Sequence, residues 1–239
     1  MIQVAGMSLD PMTLNVNNLE RDILIRMTES PGFYSFPSIR ELQFDLTLRQ
    51  NTIESSNEMN SSEAAFTTFQ YATCNETYWT LTPAGGFLVK PNVRPSDAIL
   101  DIYQNSSQYA FECATACMIV YYKAVLRSVG RRQFDMFFQN IYLYSWNGDA
   151  DLGIQTSAAN HFVPGDVVYF NNPEFHPASP WYRGVNAVAM TDNKFFGHGF
   201  GILSAEELLN FLNTFRRPTS RQPAYLTNLV TRLTLPSFS

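Results

Sequence analysis

From Cys113 to Ser128 the chain carries good helix formers or apolar residues on nearly every side of a 3.6-residue turn. Gly130 follows where a C′ glycine ends a helix. A helix apolar all round belongs at the centre of a fold. Other segments show weaker periodicities. Ile39 to about Glu58 sets Leu42, Phe44, Leu46, Leu48 and Ile53 among polar residues and predicts a helix. Ser96 to Gln104 follows Pro95 and has Asp97 in its first turn, both helix-start signals. Gln133 to Gln139 predicts a short helix. Tyr78–Thr82 and Phe87–Lys90, joined through Pro83-Ala84-Gly85-Gly86, predict a hairpin. Strands are expected at Ile141–Trp146, Asp166–Phe170, Asn186–Met190 and Lys194–Leu203. Ser204-Ala205-Glu206-Glu207 is a capping box opening a helix to Phe215. Helices first, then a mainly antiparallel sheet with one more helix, predict an α+β fold.

Composition narrows the classes. At 239 residues, 45% hydrophobic and 14% aromatic, the chain can bury a sizeable core. With no repeat, low-complexity tract or charge block, 1–239 is expected to form one domain, with 1–38 an N-terminal extension packed on it. A net charge of -5 and a pI near 5.2 leave no basic footprint for nucleic acid. No apolar run approaches the roughly 20 residues that span a bilayer, and Met1-Ile2-Gln3-Val4 lacks the basic start of a signal peptide. A soluble, unexported protein without a membrane partner is expected. Three cysteines, Cys74, Cys113 and Cys117, point to free thiols in a reducing compartment. The scattered His161, His176 and His198 supply no paired metal-ligand motif, so neither a metal nor another cofactor is expected.

Candidate chemistry concentrates in Ala110-Phe111-Glu112-Cys113-Ala114-Thr115-Ala116-Cys117. A cysteine at a helix start is placed to be a nucleophile, because unpaired N–H groups there favour thiolate. Close core packing is the alternative use of a small apolar thiol. Cys117, one turn on, reads as core, and His161, before a strand, as a structural histidine. Downstream, a turn and strand at His161–Phe170 and a second strand at Gly184–Met190 precede Phe195-Phe196-Gly197-His198. A helix-borne cysteine followed by such strands resembles the NlpC/P60 branch of papain-like enzymes.

A closer resemblance rests on Phe111–Ala116, Gly165-Asp166 with Tyr169-Phe170, Asn172–Phe175, Arg183-Gly184, and His198-Gly199 with Gly201–Leu203. Ala224–Leu226 with Thr231–Leu233 adds to it. These blocks, from about Ile39 to Pro236, are similar to the bacterial spore-coat transglutaminases of Bacillus. The resemblance implies a calcium-independent, monomeric enzyme that joins protein glutamine and lysine side chains through a thioester. It also implies spore-coat proteins as substrates, in the mother-cell cytoplasm and coat of a spore-forming bacterium. Cys113 falls on the family's nucleophile, Glu112 on its acidic neighbour and His198 on its histidine near the thiol. Phe66, Phe69, Trp146, Tyr169, Trp181 and Tyr182 are the candidate substrate-tunnel lining. The family's main catalytic glutamate falls at Val185, and Ser145 stands where the family has an aspartate.

With Val185 unable to carry a proton, Glu112 becomes the first candidate for acid–base work, with His198 assisting. An anion near a helix start has a purely structural use as well. Two other readings stay open: a thiol hydrolase that deamidates glutamine or cuts peptides, and a weakened or inactive structural coat protein. Lysine occurs only at Lys90, Lys123 and Lys194. That scarcity suits an enzyme that consumes lysine amines, and lineage bias would produce it equally well.

Overall fold

The computed structural model describes residues 1–234, so Pro236, the far end of the resemblance, lies outside the described residues. Its helices are α1 (Asn18–Glu29), α2 (Ile39–Asn60), α3 (Pro95–Gln104), α4 (Cys113–Val129), α5 (Arg131–Phe137) and α6 (Ala205–Thr214). Local chemistry sets their ends. Capping boxes open α1 through Asn17 and Glu20 and α6 through Ser204 and Glu207, and Gly130, at φ +81°, closes α4. Every residue of α4 from Ala114 to Leu126 is buried. It packs mainly on α2, and also on α3, α5 and the sheet.

In chain order the strands are β1 (Ile2–Val4), β2 (Met7–Ser8), β3 (Tyr34–Phe36), β4 (Ala65–Phe66), β5 (Trp79–Leu81), β6 (Phe87–Val89) and β7 (Ala110–Phe111). β8 (Tyr142–Leu143), β9 (Ile154–Ala158), β10 (Val167–Asn171), β11 (Gly184–Ala189), β12 (Lys194–Gly197), β13 (Gly201–Ser204) and β14 (Tyr225–Leu233) complete the set. The main sheet has six antiparallel strands in the order β13-β12-β11-β10-β14-β9. Tyr169 pairs with Asn186 and Phe170 with Val185. Alternation therefore turns Tyr169 and Asn186 toward α4, and Phe170 and Val185 toward the apolar cluster of Leu208 and Leu212 on α6. The result is the expected α+β layout, with the cysteine-bearing helix against an antiparallel sheet as in papain-like folds.

Several elements differ from the sequence expectation. The strand expected at Ile141–Trp146 shortens to β8, which joins β5 and β6 in a separate sheet. Lys194–Leu203 is a hairpin, β12 and β13, because Gly199 (φ +83°) and Gly201 (φ +91°) turn the chain. His198 therefore sits in a turn. β9 and β14 carried no strand signal because their residues are largely exposed or mixed, with Val230, Thr231 and Leu233 the buried positions of β14. Residues 1–38 supply Ile2, Ile23, Leu24, Met27, Tyr34 and Phe36 to the same apolar cluster as α2 and α4.

One ionic knot ties these layers. Asp166, fully buried, accepts from Arg49 (2.9 Å), Arg232 (2.9 Å) and the Val163 N–H (3.1 Å). Arg49 also donates to Asp45 (2.8 Å) and to the Pro164 carbonyl (3.1 Å). Burial works against the Arg49 charge, and the Asp45 and Asp166 carboxylates outweigh it, holding its proton more firmly than usual. Asp166→Ala removes the group that joins α2 to β14 and leaves two guanidinium groups short of a partner. A loss of about 3–5 kcal/mol in urea unfolding is expected.

Candidate active site

The start of α4 assembles the site. Glu112 is the N-cap, and its carboxylate accepts from the N–H groups of Ala114 (2.6 Å) and Thr115 (2.6 Å) and from the Thr115 hydroxyl (2.8 Å). The Thr115 hydroxyl in turn accepts from the N–H of Ser145 (3.0 Å), a residue at φ +50° in the turn after β8. Cys113 is the first helical residue. Its sulfur lies 3.5 Å from the Asn186 side-chain nitrogen, and the Cys117 thiol donates to the Asn186 carbonyl (3.8 Å).

Those bonds correct one expectation. The helix-start N–H groups of Ala114 and Thr115 serve Glu112 and not the sulfur. Burial, then the Glu112 charge, push the Cys113 thiol up to about 11, against opposing hydrogen bonds from Asn186. The resting group is a thiol with a carboxylate beside it. Cys117 is pushed up further by burial and sits in the core, as expected.

A cavity of about 570 Å³ opens over Cys113. Of the expected tunnel residues, Phe66, Phe69, Trp146, Tyr169 and Trp181 line it, together with Glu112 and, at its rim, Arg183. Gly184 makes this wall possible, since a Cβ there would stand 2.2 Å from the Tyr169 hydroxyl. Gly199 does the same for Phe66, whose ring carbon would lie 2.7 Å from an added Cβ.

Three candidates stand elsewhere. Tyr182 stacks on Phe215 (3.8 Å between centroids) under α6. Val185 is fully buried on the far face of the sheet. The resemblance put the family's catalytic glutamate at that position, but in this register a side chain at 185 points away from Cys113. His198 does not line the cavity. It stacks on Phe111 (4.6 Å), donates from Nε2 to the Ala65 carbonyl (3.2 Å), and is 4% exposed. Burial, outweighing backbone bonds to Ala65 and Phe111, pushes its pKa down to about 4, so the ring is neutral near pH 7. His161 packs edge-on to Tyr34, and His176 accepts from the nearby Ala178 N–H. Sequence reasoning missed Asn186 and Thr115. Alternation along β11 from Gly184 was the signal that would have found the first.

With this geometry established, comparison with known proteins is direct. The family model described as protein-glutamine gamma-glutamyltransferase matches residues 1–239. The protein-glutamine gamma-glutamyltransferase of Halalkalibacterium halodurans is 55% identical over 235 residues, 98% of this chain and 82% of that protein. That of Bacillus subtilis is 40% identical over 240 residues, 99% of this chain and 98% of that protein. The solved structure of a transglutaminase from Geobacillus stearothermophilus superposes with a TM-score of 0.80 at 41% identity, covering 83% of this chain and 95% of that one.

The neutral, buried His198 makes a pH prediction. Its native pKa of about 4 lies below the ordinary 6.5, so between those values the unfolded chain binds a proton that the native protein does not. Stability should fall as pH drops through that window, by about 3 kcal/mol in all. Urea unfolding at pH 7 and 4.5 measures it, and His198→Gln should flatten the dependence by up to one proton.

Proposed function

Because the chain belongs to the protein-glutamine γ-glutamyltransferase family and is a transglutaminase, we propose that Cys113 is its nucleophile and Glu112 its proton carrier. The observation that carries this reading is that Glu112 is the one carboxylate lining the cavity, among the described residues, and it adjoins the thiol. In the first half-reaction the Cys113 thiol proton passes to Glu112 as sulfur attacks the carboxamide carbon of a glutamine side chain. The C–N bond then breaks, and Glu112 returns the proton to the departing ammonia, leaving a thioester. In the second half, a neutral lysine amine attacks the thioester and gives a proton to Glu112. The amide forms, and the leaving sulfur takes that proton back. Side chains fill every role in this scheme, which accords with a calcium-independent reaction.

The walls support both halves. Phe66, Phe69, Trp146, Tyr169 and Trp181 restrict water, which would hydrolyse the thioester, and an apolar surround disfavours the ammonium form of the incoming lysine. Neutral His198, bonded to backbone, fits the holding of the β12–β13 turn against β4 and β7 better than pairing with a thiolate. Lys123 is buried in a pair with Glu58 and lies over Tyr103, which reduces further the amines this chain offers. In this reading the substrates are spore-coat proteins and a monomer acts in the mother cell and on the coat, a setting that accords with relatives from Bacillus. The hydrolase and inactive-scaffold readings are not favoured by relatives of this similarity.

Two variants test the site, the second through two readouts that move in opposite directions. Cys113→Ala should abolish fluorescent-amine incorporation into casein. Glu112→Gln should lower incorporation by about 10²-fold or more. It should also raise the rate of Cys113 alkylation by iodoacetamide at pH 8, because the negative neighbour is gone. Undiminished incorporation by Glu112→Gln would overturn the assignment.

A further inference from the structure

The Cys113 sulfur sits between two opposed influences. Burial and the Glu112 carboxylate favour the thiol, and hydrogen bonds from Asn186 favour the thiolate. Asn186 is the third residue of β11, paired across the sheet with Tyr169, and its side chain lines the cavity. Its carboxamide nitrogen is 3.5 Å from the Cys113 sulfur, within reach of an N–H···S bond. The residue is also fixed from below, because its own carbonyl accepts from the Cys117 thiol one helical turn further on. α4 and β11 are thus clamped at two levels, and the upper level is a hydrogen-bond donor aimed at the reacting atom.

We propose that Asn186 is a further catalytic residue of this transglutaminase, its side-chain N–H stabilising the Cys113 thiolate each time that thiolate forms. The proposal rests on the reading of Cys113 as nucleophile. Thiolate charge develops twice in one turnover, as Glu112 takes the thiol proton during attack and as sulfur leaves the thioester when the new amide forms. A donor already in place at a buried sulfur acts at both moments, with no solvent reorganisation. No bond to Asn186 forms or breaks, and no proton leaves it.

The size of the effect follows from two opposing trends. A hydrogen bond to a charged group corresponds to about one to two pK units. The same bond reduces the intrinsic nucleophilicity of the sulfur, with a Brønsted coefficient of about 0.4–0.5. The net benefit is therefore about 3- to 10-fold in the rate of any thiolate reaction.

The test measures iodoacetamide alkylation of Cys113, mapped to its peptide by mass spectrometry, from pH 7 to 10 in the full chain. It is run beside the kcat of fluorescent-amine incorporation and the thermal midpoint. Asn186→Ala should displace the log-rate line downward by about 3- to 10-fold at every pH, and lower kcat by a similar factor. Asn186→Asp keeps the shape but places a second negative charge at the sulfur, so its alkylation should fall below that of Asn186→Ala. Where the alanine variant fails to fold, the near-isosteric, uncharged Asn186→Leu decides the matter: its alkylation should fall below that of the parent chain by the same factor, and an unchanged line would overturn the proposal. A merely structural role would move the thermal midpoint and leave the alkylation line in place, and that outcome would overturn the proposal. Faster alkylation in Asn186→Ala would overturn it equally, by showing that the side chain only blocks access. Full incorporation by Cys113→Ala would instead remove the nucleophile assignment, while the alkylation lines would still report the effect of Asn186 on the sulfur.

Discussion

Much of this molecule answers one constraint, the enclosure of a helix that has no polar face. α4 is buried without interruption from Ala114 to Leu126, and such a helix is stable only when other elements cover it all round. α2 covers it along its length, α3 and α5 pack beside it, and the six-stranded sheet closes the remaining side through β11. The Asp166 knot holds two of these covers together, joining α2 to β14 through Arg49 and Arg232. The depth of the helix then determines the chemistry at its exposed end. Cys113 and Glu112, half-buried, stand where the enclosure stops and the cavity begins.

At that end the same few N–H groups have two possible clients. A helix start can stabilise a thiolate or a carboxylate, and here Glu112 takes the Ala114 and Thr115 N–H groups. The consequence is a protonated cysteine with a fixed, ionisable neighbour in place of a preformed thiolate. Such a pair suits a reaction in which one proton must travel to ammonia and another must come off an amine. Burial of the aromatic walls works in the same direction, since it disfavours charge on sulfur and on lysine alike.

Much of this was legible in the sequence where the signal was local. The all-round apolar pattern placed α4, Gly130 its end, the Gly85-Gly86 turn the β5–β6 hairpin, and the Ser204 capping box α6. Cys113, Glu112 and five of the six aromatic candidates share one cavity. What sequence could not convey was face and register. Val185 and Asn186 are adjacent in the chain and lie on opposite faces of β11, so the position singled out by resemblance points away and its neighbour touches the sulfur. His198 was expected on a strand, and two left-handed glycines placed it in a turn packed on Phe111. The strand β14 escaped notice because its buried positions are few and a register shift interrupts its pairing with β10.

The chain of bonds from the Ser145 N–H through the Thr115 hydroxyl to Glu112 has a mechanical side. It fastens the turn carrying Trp146 to the first turn of α4, so that part of the cavity wall cannot swing outward without breaking the Ser145–Thr115 bond. Trp181, on the short turn before β11, has no comparable anchor to the helix start among the described residues and is 42% exposed. The cavity wall is thus tied to the helix start at the Trp146 turn and not at Trp181. Displacing Trp181 breaks none of the bonds that position Cys113 and Glu112, whereas displacing the Ser145–Trp146 turn breaks the one to Thr115.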